Sequence, residues 1–300
     1  MSRLFFVFVC LMFGWNAVLA QPDLDFRKIT TDWPAIKLSV TVACDGRRVY
    51  ELWEHNIRIF ENSVEVTDFT VWCPRSTPYY LLSSSVSIVF DASDSMVGDG
   101  NAKARQAGYA YVDMMDGILE EAAILWFSSS VTVARQMTTH KPMLHSAIDA
   151  LPAGGKSAWL DGAYAGILEL ISDGVNVSRA VILITEGRDN ASSRTLAEII
   201  SLADSYGIRF FTIGIGNNIN AADLETLARL TGGKYYETPH AGQIAAIHNE
   251  INTIECIITY QRDCADGSMR TVELQLVDFC DGTDVKEESY RAPLDSATFT

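Results

Sequence analysis

A carboxylate and two hydroxyls stand at alternate positions where a short apolar run ends. Residues 86–90 are followed by Asp91-Ala92-Ser93-Asp94-Ser95. A strand that stops in such a turn can aim the oxygens of Asp91, Ser93 and Ser95 at one point, and oxygen atoms are the ligands that hard divalent cations prefer. The same pattern occurs in ordinary polar turns, so its position directly after a buried-strand pattern is what favours a cation site.

A second motif, at residues 150–157, has the relaxed form of a phosphate-binding loop, in which backbone amides cradle phosphates and Lys156 pairs with them. Such a loop follows a strand and opens with glycine, whereas residues 144–151 have a helical pattern and position 150 is alanine. Exported proteins also seldom meet ATP. The sequence therefore disfavours a nucleotide ligand.

Signatures of hydrolytic catalysis are absent from the sequence. It contains no Gly-x-Ser-x-Gly elbow and no His-Glu-x-x-His zinc helix, and its five histidines have no metal-ligand spacing. We therefore expect a protein that is not an enzyme.

The elements that must position Asp91 alternate between buried strands and helices. Short apolar runs typical of a parallel sheet buried on both faces occupy residues 86–90, 122–127, 180–185 and 208–215. Helical spacing of apolar residues marks residues 102–115, 159–171, 195–206 and 221–230. This alternation predicts a doubly wound, mostly parallel α/β domain, whose ligands bind beyond the carboxyl ends of the strands.

Strands with the pattern of an antiparallel sheet flank this domain on both sides. Apolar and polar residues alternate over residues 36–72 and 270–279, as in a half-buried antiparallel sheet, with turn-like breaks at Asp45-Gly46 and Glu61-Asn62. Asp266-Gly267 suggests a hairpin that returns onto residues 257–260. Each flank alone has too few strands for a stable domain, so we expect the two flanks to pack together as one small β-sandwich. The predicted divisions are a signal peptide at 1–20, a β segment at 21–83, the α/β domain at 84–254 and a second β segment at 255–300.

The first twenty residues have the form of a secretory signal. Arg3 gives a positive start, residues 4–13 are almost wholly apolar, and Val18-Leu19-Ala20 offers a cleavage site before Gln21. The alternative is an uncleaved membrane anchor, although the apolar run is shorter than the ~20 residues of a spanning helix. Cleavage predicts an extracellular or periplasmic protein with no transmembrane segment in the mature chain.

The mature chain is acidic. Loss of Arg3 leaves 22 Lys and Arg against 38 Asp and Glu, which changes the net charge from −15 to −16. Such a charge repels phosphates, and no basic stripe offsets it, so nucleic acid is not an expected partner.

Five cysteines remain after signal removal, and all lie outside the α/β segment: Cys44, Cys73, Cys256, Cys264 and Cys280. In an exported chain they are disulfide candidates, and their odd number leaves at least one unpaired. Within the predicted hairpin Cys280 lies nearer Cys256 than Cys264 does. This favours a bond between Cys256 and Cys280, while the other pairings stay open.

Three stretches together resemble the von Willebrand factor type A family. Residues 88–96, Ile-Val-Phe-Asp-Ala-Ser-Asp-Ser-Met, are similar to the opening of these domains and of integrin inserted domains, whose adhesion site uses Asp-x-Ser-x-Ser with a distant Thr and a distant Asp. Residues 154–161 resemble the Gly-Gly-Thr loop of the family, with Ser157 in place of Thr. Residues 181–190 resemble its strand ending in Thr-Asp-Gly, with Glu186 in place of Asp. The likeness covers residues 86–254.

The resemblance implies a metal-ion-dependent adhesion site and a non-enzymatic, adhesion-type protein-binding module. The implied direct ligands of Mg²⁺ or Mn²⁺ are Ser93, Ser95 and Ser157. Asp91 and Glu186 would bind the cation directly or through water, and an acidic side chain of a partner protein would complete the coordination. Glu186 carries its carboxylate one methylene farther out, which affects metal preference because Mg²⁺ demands bonds of about 2.0 to 2.1 Å. The alternative is a structural envelope or matrix protein with a degenerate metal site.

Overall fold

The structure is a computed structural model that describes residues 21–45, 47–49, 51–73, 83–216, 219–237, 240–253 and 255–294. The predicted signal peptide lies outside the described residues. The described strands are β1 (Pro22–Asp32), β2 (Ala35–Cys44), β3 (Arg47–Val49), β4 (Ile57–Glu61), β5 (Val64–Val66), β6 (Phe69–Trp72), β7 (Ser84–Asp91), β8 (Glu121–Phe127), β9 (Val131–Thr138), β10 (Ser178–Thr185), β11 (Arg209–Gly214), β12 (Tyr235–Glu237), β13 (Cys256–Gln261), β14 (Met269–Phe279) and β15 (Gly282–Arg291). The described helices are α1 (Asp99–Met114), α2 (Lys141–Asp149), α3 (Trp159–Ser172), α4 (Leu196–Ser205), α5 (Ala221–Leu230) and α6 (Ala241–Ile251).

Six strands form a central sheet in the order β12-β11-β10-β7-β8-β9. Its pairs are parallel except for the edge strand β9, which runs antiparallel to β8. All eight residues of β7 are buried, because helical layers cover both faces of the sheet. The predicted doubly wound, mostly parallel α/β fold is confirmed.

Glycines let two helices approach β7 closely from opposite faces. A Cβ added at Gly108 in α1 would lie 2.5 Å from the ring of Phe90, and one added at Gly166 in α3 would lie 2.9 Å from Val89. A larger residue at either position would push its helix away from the strand. Since Val89 and Phe90 directly precede Asp91, these contacts hold the carboxyl end of β7 in place.

Both ends of the chain build a second body of two antiparallel sheets. One sheet has the order β1-β2-β13-β6 with β3 paired to β2, and the other has the order β15-β14-β4-β5. Their inner faces share one apolar core that includes Leu38, Ile59, Ile258 and Leu274. The predicted β-sandwich built from both flanks is confirmed, although sequence periodicity did not reveal β1.

The predicted hairpin around Asp266-Gly267 is wrong. β13 pairs with β2 and β6, whereas β14 pairs with β4 and β15. The two strands that the hairpin was to join therefore lie in different sheets, and residues 262–268 cross from one sheet to the other.

The cysteine pairing follows this topology. Cys44 is bonded to Cys280 and Cys73 to Cys256, with Cα–Cα distances of 6.0 and 4.4 Å, while Cys264 is exposed and unpaired. The favoured bond between Cys256 and Cys280 is wrong because Cys256 begins β13 in one sheet and Cys280 follows β14 in the other. The Cys44–Cys280 bond instead joins the two sheets.

One carboxylate, that of Glu61 at the end of β4, is buried inside the sandwich with 5% of the residue exposed. It accepts hydrogen bonds from the hydroxyls of Tyr260 at 2.7 Å and Tyr290 at 3.0 Å, and from Nε of Arg262 and Nη1 of Arg270, both at 3.0 Å. Burial alone would raise the pKa of the Glu61 carboxyl, but these hydroxyl and guanidinium partners lower it below its usual 4.5. The cluster ties β4 to β14 and β15 in its own sheet and to β13 in the opposite sheet.

Charged side chains of β1 join the sandwich to the α/β body. A guanidinium nitrogen of Arg27 lies 2.9 Å from Glu250 in α6, and Lys28 pairs with Asp204 in α4. The Arg27 side chain is 97% buried, its exposed fraction being 3%. The two bodies therefore meet through ion pairs as well as through the chain connections.

Candidate metal centre

Asp91 ends β7, and its carboxylate is buried at the carboxyl edge of the sheet with 1% of the residue exposed. Its Oδ1 accepts a hydrogen bond from the amide of Ser93 at 2.9 Å. Its Oδ2 accepts hydrogen bonds from Thr185 Oγ1 at 2.7 Å and from Ser157 Oγ at 3.3 Å. All three donors are neutral, and no Lys, Arg or His nitrogen of the described residues lies within 4.0 Å of this carboxylate.

Ser93 and Ser95 lie in the turn that follows β7. The turn is a short 3₁₀ helix at Asp94–Met96, which the fully buried Met96 side chain anchors in the core. The hydroxyl oxygens of the two serines are 3.1 Å apart. Ser93 is buried and Ser95 is exposed, so the pair leads from the buried carboxylate toward the surface.

The loop that carries Ser157 is held in place through its backbone from two sides. On one side the amide of Gly155 donates to Asp94 Oδ1 at 3.0 Å and the amide of Asp94 donates to the Gly155 carbonyl at 2.9 Å. On the other side the Ser157 amide donates to Asn190 Oδ1, and the Asn190 amide donates to the Ser157 carbonyl, both at 2.9 Å. These reciprocal bonds fix three loops relative to one another, and with them the Ser157 hydroxyl beside Asp91.

Sequence reasoning gave no role to Thr185, Asp94 or Asn190. β10 runs parallel to β7 with Ile184 opposite Phe90, which brings Thr185 beside Asp91. The apolar runs at residues 86–90 and 180–185 predict two parallel strands that end at the same edge of the sheet, and this was a usable signal for Thr185. Asp94 and Asn190 act on the backbone of another loop, and no spacing in the sequence indicates such a contact.

Glu186 follows β10 at the same edge of the sheet and is partly buried. Its carboxylate lies against the loop after β11, because a Cβ added at Gly216 would lie 2.5 Å from Glu186 Oε1. No hydrogen bond joins it to the hydroxyls of Ser93, Ser95 or Ser157, all of which are described. The structure thus brings four of the five predicted ligands into one hydrogen-bonded cluster and places Glu186 at its edge.

The donor set of the cluster fits a small hard cation. Mg²⁺ binds oxygen atoms in an octahedron with bonds of about 2.0 to 2.1 Å, so neighbouring ligands stand about 3.0 Å apart. The Ser93–Ser95 separation of 3.1 Å and the Ser157–Asp91 separation of 3.3 Å are close to this edge length. In the described part of the chain, the cluster around Asp91 included, no three His, Cys, Asp or Glu side chains form a group that could hold a metal, so the oxygen donors of this cluster are mainly hydroxyls.

The comparison with protein families decides the classification. The sequence profile of the von Willebrand factor type A domain (VWA) matches residues 85–250, more than half of the chain. The chain belongs to the VWA family. The matched residues run from the start of β7 to the end of α6 and contain the whole cluster around Asp91. No curated protein sequence gives a significant match.

Solved structures with low sequence identity are similar to this VWA domain. An aerotolerance-related membrane protein from Bacteroides fragilis NCTC 9343 is 17% identical with a TM-score of 0.50, over 57% of this chain and 100% of that one. The conserved hypothetical protein BatB from Bacteroides thetaiotaomicron is 17% identical with a TM-score of 0.49, over 56% and 97%. A von Willebrand factor type A protein from Catenulispora acidiphila is 13% identical with a TM-score of 0.49, over 93% and 74%. At these identities the likeness concerns the fold alone.

The competing phosphate-loop motif lies in a different setting in the VWA domain. Residues 150–157 follow the helix α2 and not a strand, and Gly154 and Gly155 contact the Asp91 turn. The glycines of this motif therefore contact the cluster around Asp91.

Within the described residues, no helix is both long enough and apolar enough to cross a membrane.

Proposed function

We propose that this VWA domain is an adhesion-type module that binds a protein partner through a divalent cation, Mg²⁺ or Mn²⁺. The observation that carries the proposal is the buried carboxylate of Asp91, which has only neutral hydrogen-bond donors from the described chain. A buried charge without an opposite charge is costly, and a bound cation removes that cost. The hydroxyls beside Asp91 supply further ligands at suitable spacing.

In the proposed site Ser93, Ser95 and Ser157 bind the cation directly. Asp91 and Glu186 bind it directly or through water, and together they neutralise a divalent charge. Ser95 is exposed, so the cation is accessible from the surface beside it. An acidic side chain of a partner protein completes the coordination there, as the family resemblance implies.

Binding, and not catalysis, is the proposed activity. The hydroxyls of Ser93 and Ser95 hydrogen-bond to each other, and that of Ser157 donates to Asp91. No histidine among the described residues hydrogen-bonds to them, so these residues contain no serine–histidine pair of the kind that activates a nucleophile.

Export is proposed with the same function. The two disulfides support it, since such bonds persist in oxidising compartments outside the cytosol. Extracellular space and periplasm are both compatible with this observation.

Thermal unfolding of the mature protein in EDTA, and then with Mg²⁺ or Mn²⁺, tests the proposal. Ligand at 100 times its Kd stabilises the native state by about 2.7 kcal/mol, which raises the unfolding midpoint by roughly 5 to 10 °C for a domain the size of residues 85–250. The variant Asp91→Asn preserves the shape of the side chain and should show no rise. A rise of equal size in this variant would refute the assignment of the site.

A structural module with a degenerate metal site is the second candidate. The position of the Glu186 carboxylate, against Gly216 and outside the hydrogen-bonded cluster, favours it. This candidate predicts the same unfolding midpoint in EDTA and in every cation, for the wild-type protein and Asp91→Asn alike.

A further inference from the structure

The space that the Glu186 side chain fills exists because residue 216 is glycine. A Cβ added there would lie 2.5 Å from Oε1 and 3.0 Å from both Cδ and Cγ of Glu186. Heavy-atom contacts of 2.5 Å do not occur without displacement, so any side chain at position 216 would force the Glu186 carboxylate to move.

Backbone hydrogen bonds of the described residues near this contact limit how far the chain can shift to relieve it. The amide of Ile215 donates to the Thr185 carbonyl at 3.1 Å, and the amide of Asn220 donates to the Glu186 carbonyl at 3.0 Å. Gly187 is equally confined, because a Cβ added there would lie 2.8 Å from the Asn220 carbonyl oxygen. The flexible end of the Glu186 side chain is therefore the part that yields.

We infer that Gly216 makes the room in which the Glu186 carboxylate lies at the edge of the metal centre, and thereby lets a glutamate stand where the family pattern has aspartate. The inference rests on the proposed function, since it concerns the same cation site. The missing Cβ at position 216 leaves the volume that the additional methylene and the carboxylate of Glu186 occupy. An aspartate at position 186 is shorter by that methylene and does not need this space.

A double-mutant cycle separates this role from the backbone requirement for glycine. Gly216 has a φ of +133°, so Gly216→Ala also strains the backbone. The strain is the same whether residue 186 is Glu or Asp, whereas the steric conflict is present only with Glu. The four proteins are the wild type, Gly216→Ala, Glu186→Asp and the double variant.

Mn²⁺ affinity and unfolding in EDTA are measured for each of the four. We expect Gly216→Ala to weaken Mn²⁺ binding about tenfold when residue 186 is Glu, the usual effect of displacing a group that orients a metal site. When residue 186 is Asp, the same change should leave Mn²⁺ affinity unaltered. In EDTA Gly216→Ala should lower the unfolding midpoint more with Glu than with Asp. Gly207→Ala is the control, because Gly207 has a φ of +62° with nothing within 4 Å of an added Cβ.

The outcomes distinguish the inference from the function on which it rests. If the wild-type protein binds Mn²⁺ and Gly216→Ala weakens binding equally with Glu or Asp at position 186, the inference is wrong and the proposed function stands. If the wild-type protein does not bind Mn²⁺, the proposed function fails and the metal role of Gly216 fails with it. Coupling between positions 186 and 216 in both measurements supports the inference.

Discussion

Two buried carboxylates, one in each body of the molecule, have opposite electrostatic surroundings. Glu61 in the sandwich contacts the guanidinium groups of Arg262 and Arg270, each with a nitrogen 3.0 Å away. Asp91 in the VWA domain is more deeply buried, yet its hydrogen bonds come from one amide and two hydroxyls. The described residues supply the counter-charge in the first case, and none of them supplies it in the second.

This difference separates a carboxylate with a counter-charge inside the sandwich from one that has no such counter-charge among the described residues. A buried ion pair is stable only when both charges are present and hydrogen-bonded, which the Glu61 cluster achieves within the chain. The Asp91 cluster has hydroxyl oxygens at a spacing suited to a cation, and no described Lys, Arg or His side chain pairs with its carboxylate. Removing the charge should therefore damage the sandwich and spare the metal-free VWA domain.

The largest expected effect is that of Glu61→Gln, which should lower the free energy of unfolding of the sandwich by about 3 kcal/mol. The amide retains the shape of the side chain but leaves the buried Arg270 and the partly exposed Arg262 without the Glu61 carboxylate. Denaturant unfolding in EDTA measures the loss. Glu65→Gln on the next strand is the control, because its ion pair with Arg58 is largely exposed and such pairs contribute about 0 to 1 kcal/mol. Equal losses of unfolding free energy in Glu61→Gln and Glu65→Gln would show that the Glu61 cluster does not stabilise the sandwich more than an exposed ion pair does.

Acid should reproduce part of this loss. Because the pKa of Glu61 is lower in the folded than in the unfolded protein, its contribution to stability is complete above the usual value of 4.5 and is lost as the pH falls through the folded value. Other carboxyls titrate in both the wild type and Glu61→Gln, so the contribution of Glu61 is the difference between the two unfolding free energies at each pH. Unfolding free energies between pH 6 and pH 3 should therefore converge for the wild type and Glu61→Gln, and parallel curves would speak against the Glu61 cluster.

A moderate effect is expected from Asp94, which holds the loop of Ser157 through the Gly155 amide. Asp94→Ala should weaken Mn²⁺ binding about tenfold, as the loss of an orienting group does in other metal sites. Asp99→Ala is the matched control, since Asp99 is exposed and pairs only with Lys103 one helical turn away. If a Mn²⁺ titration finds the same affinity in Asp94→Ala, Asp99→Ala and the wild type, the hydrogen bond from the Gly155 amide to Asp94 does not contribute to metal binding.

The smallest effect is expected from Asp91→Asn in EDTA. Its amide oxygen can still accept from the Ser93 amide, its amide group can donate to Thr185 and Ser157, and an uncompensated buried charge is gone. The metal-free variant should be as stable as the wild type or more stable by up to about 1 kcal/mol. A large destabilisation, comparable to that of Glu61→Gln, would mean that Asp91 is a structural carboxylate.

The α/β fold and most of the candidate site follow from sequence patterns. Continuous apolar runs predict β7, β8, β10 and β11, because strands covered on both faces have no polar side. Asp91, Ser93 and Ser95 then stand at the end of a predicted strand, where ligands bind in such folds. The strand β9 was not predicted, since its exposed edge position leaves it without a buried face of regular period.

What the sequence did not predict depends on contacts between distant segments. Alternation identified the strand β14 but not its partner, so the hairpin and the Cys256–Cys280 bond were both wrong. The turn at Glu61-Asn62 was expected from residue types, yet the burial of Glu61 depends on Arg262 and Arg270, which lie about two hundred residues away. The hydrogen bonds of Asp94 and Asn190 are likewise made to the backbone of another loop, whose sequence carries no sign of them.

Direct titration of the metal-free protein with Mn²⁺ tests the proposal that the Asp91 carboxylate binds a cation. We expect one saturable Mn²⁺ site per chain in the wild type and in Glu65→Gln, and none in Asp91→Asn at the same concentrations. No saturable binding by the wild type, or equal binding by Asp91→Asn, would contradict it.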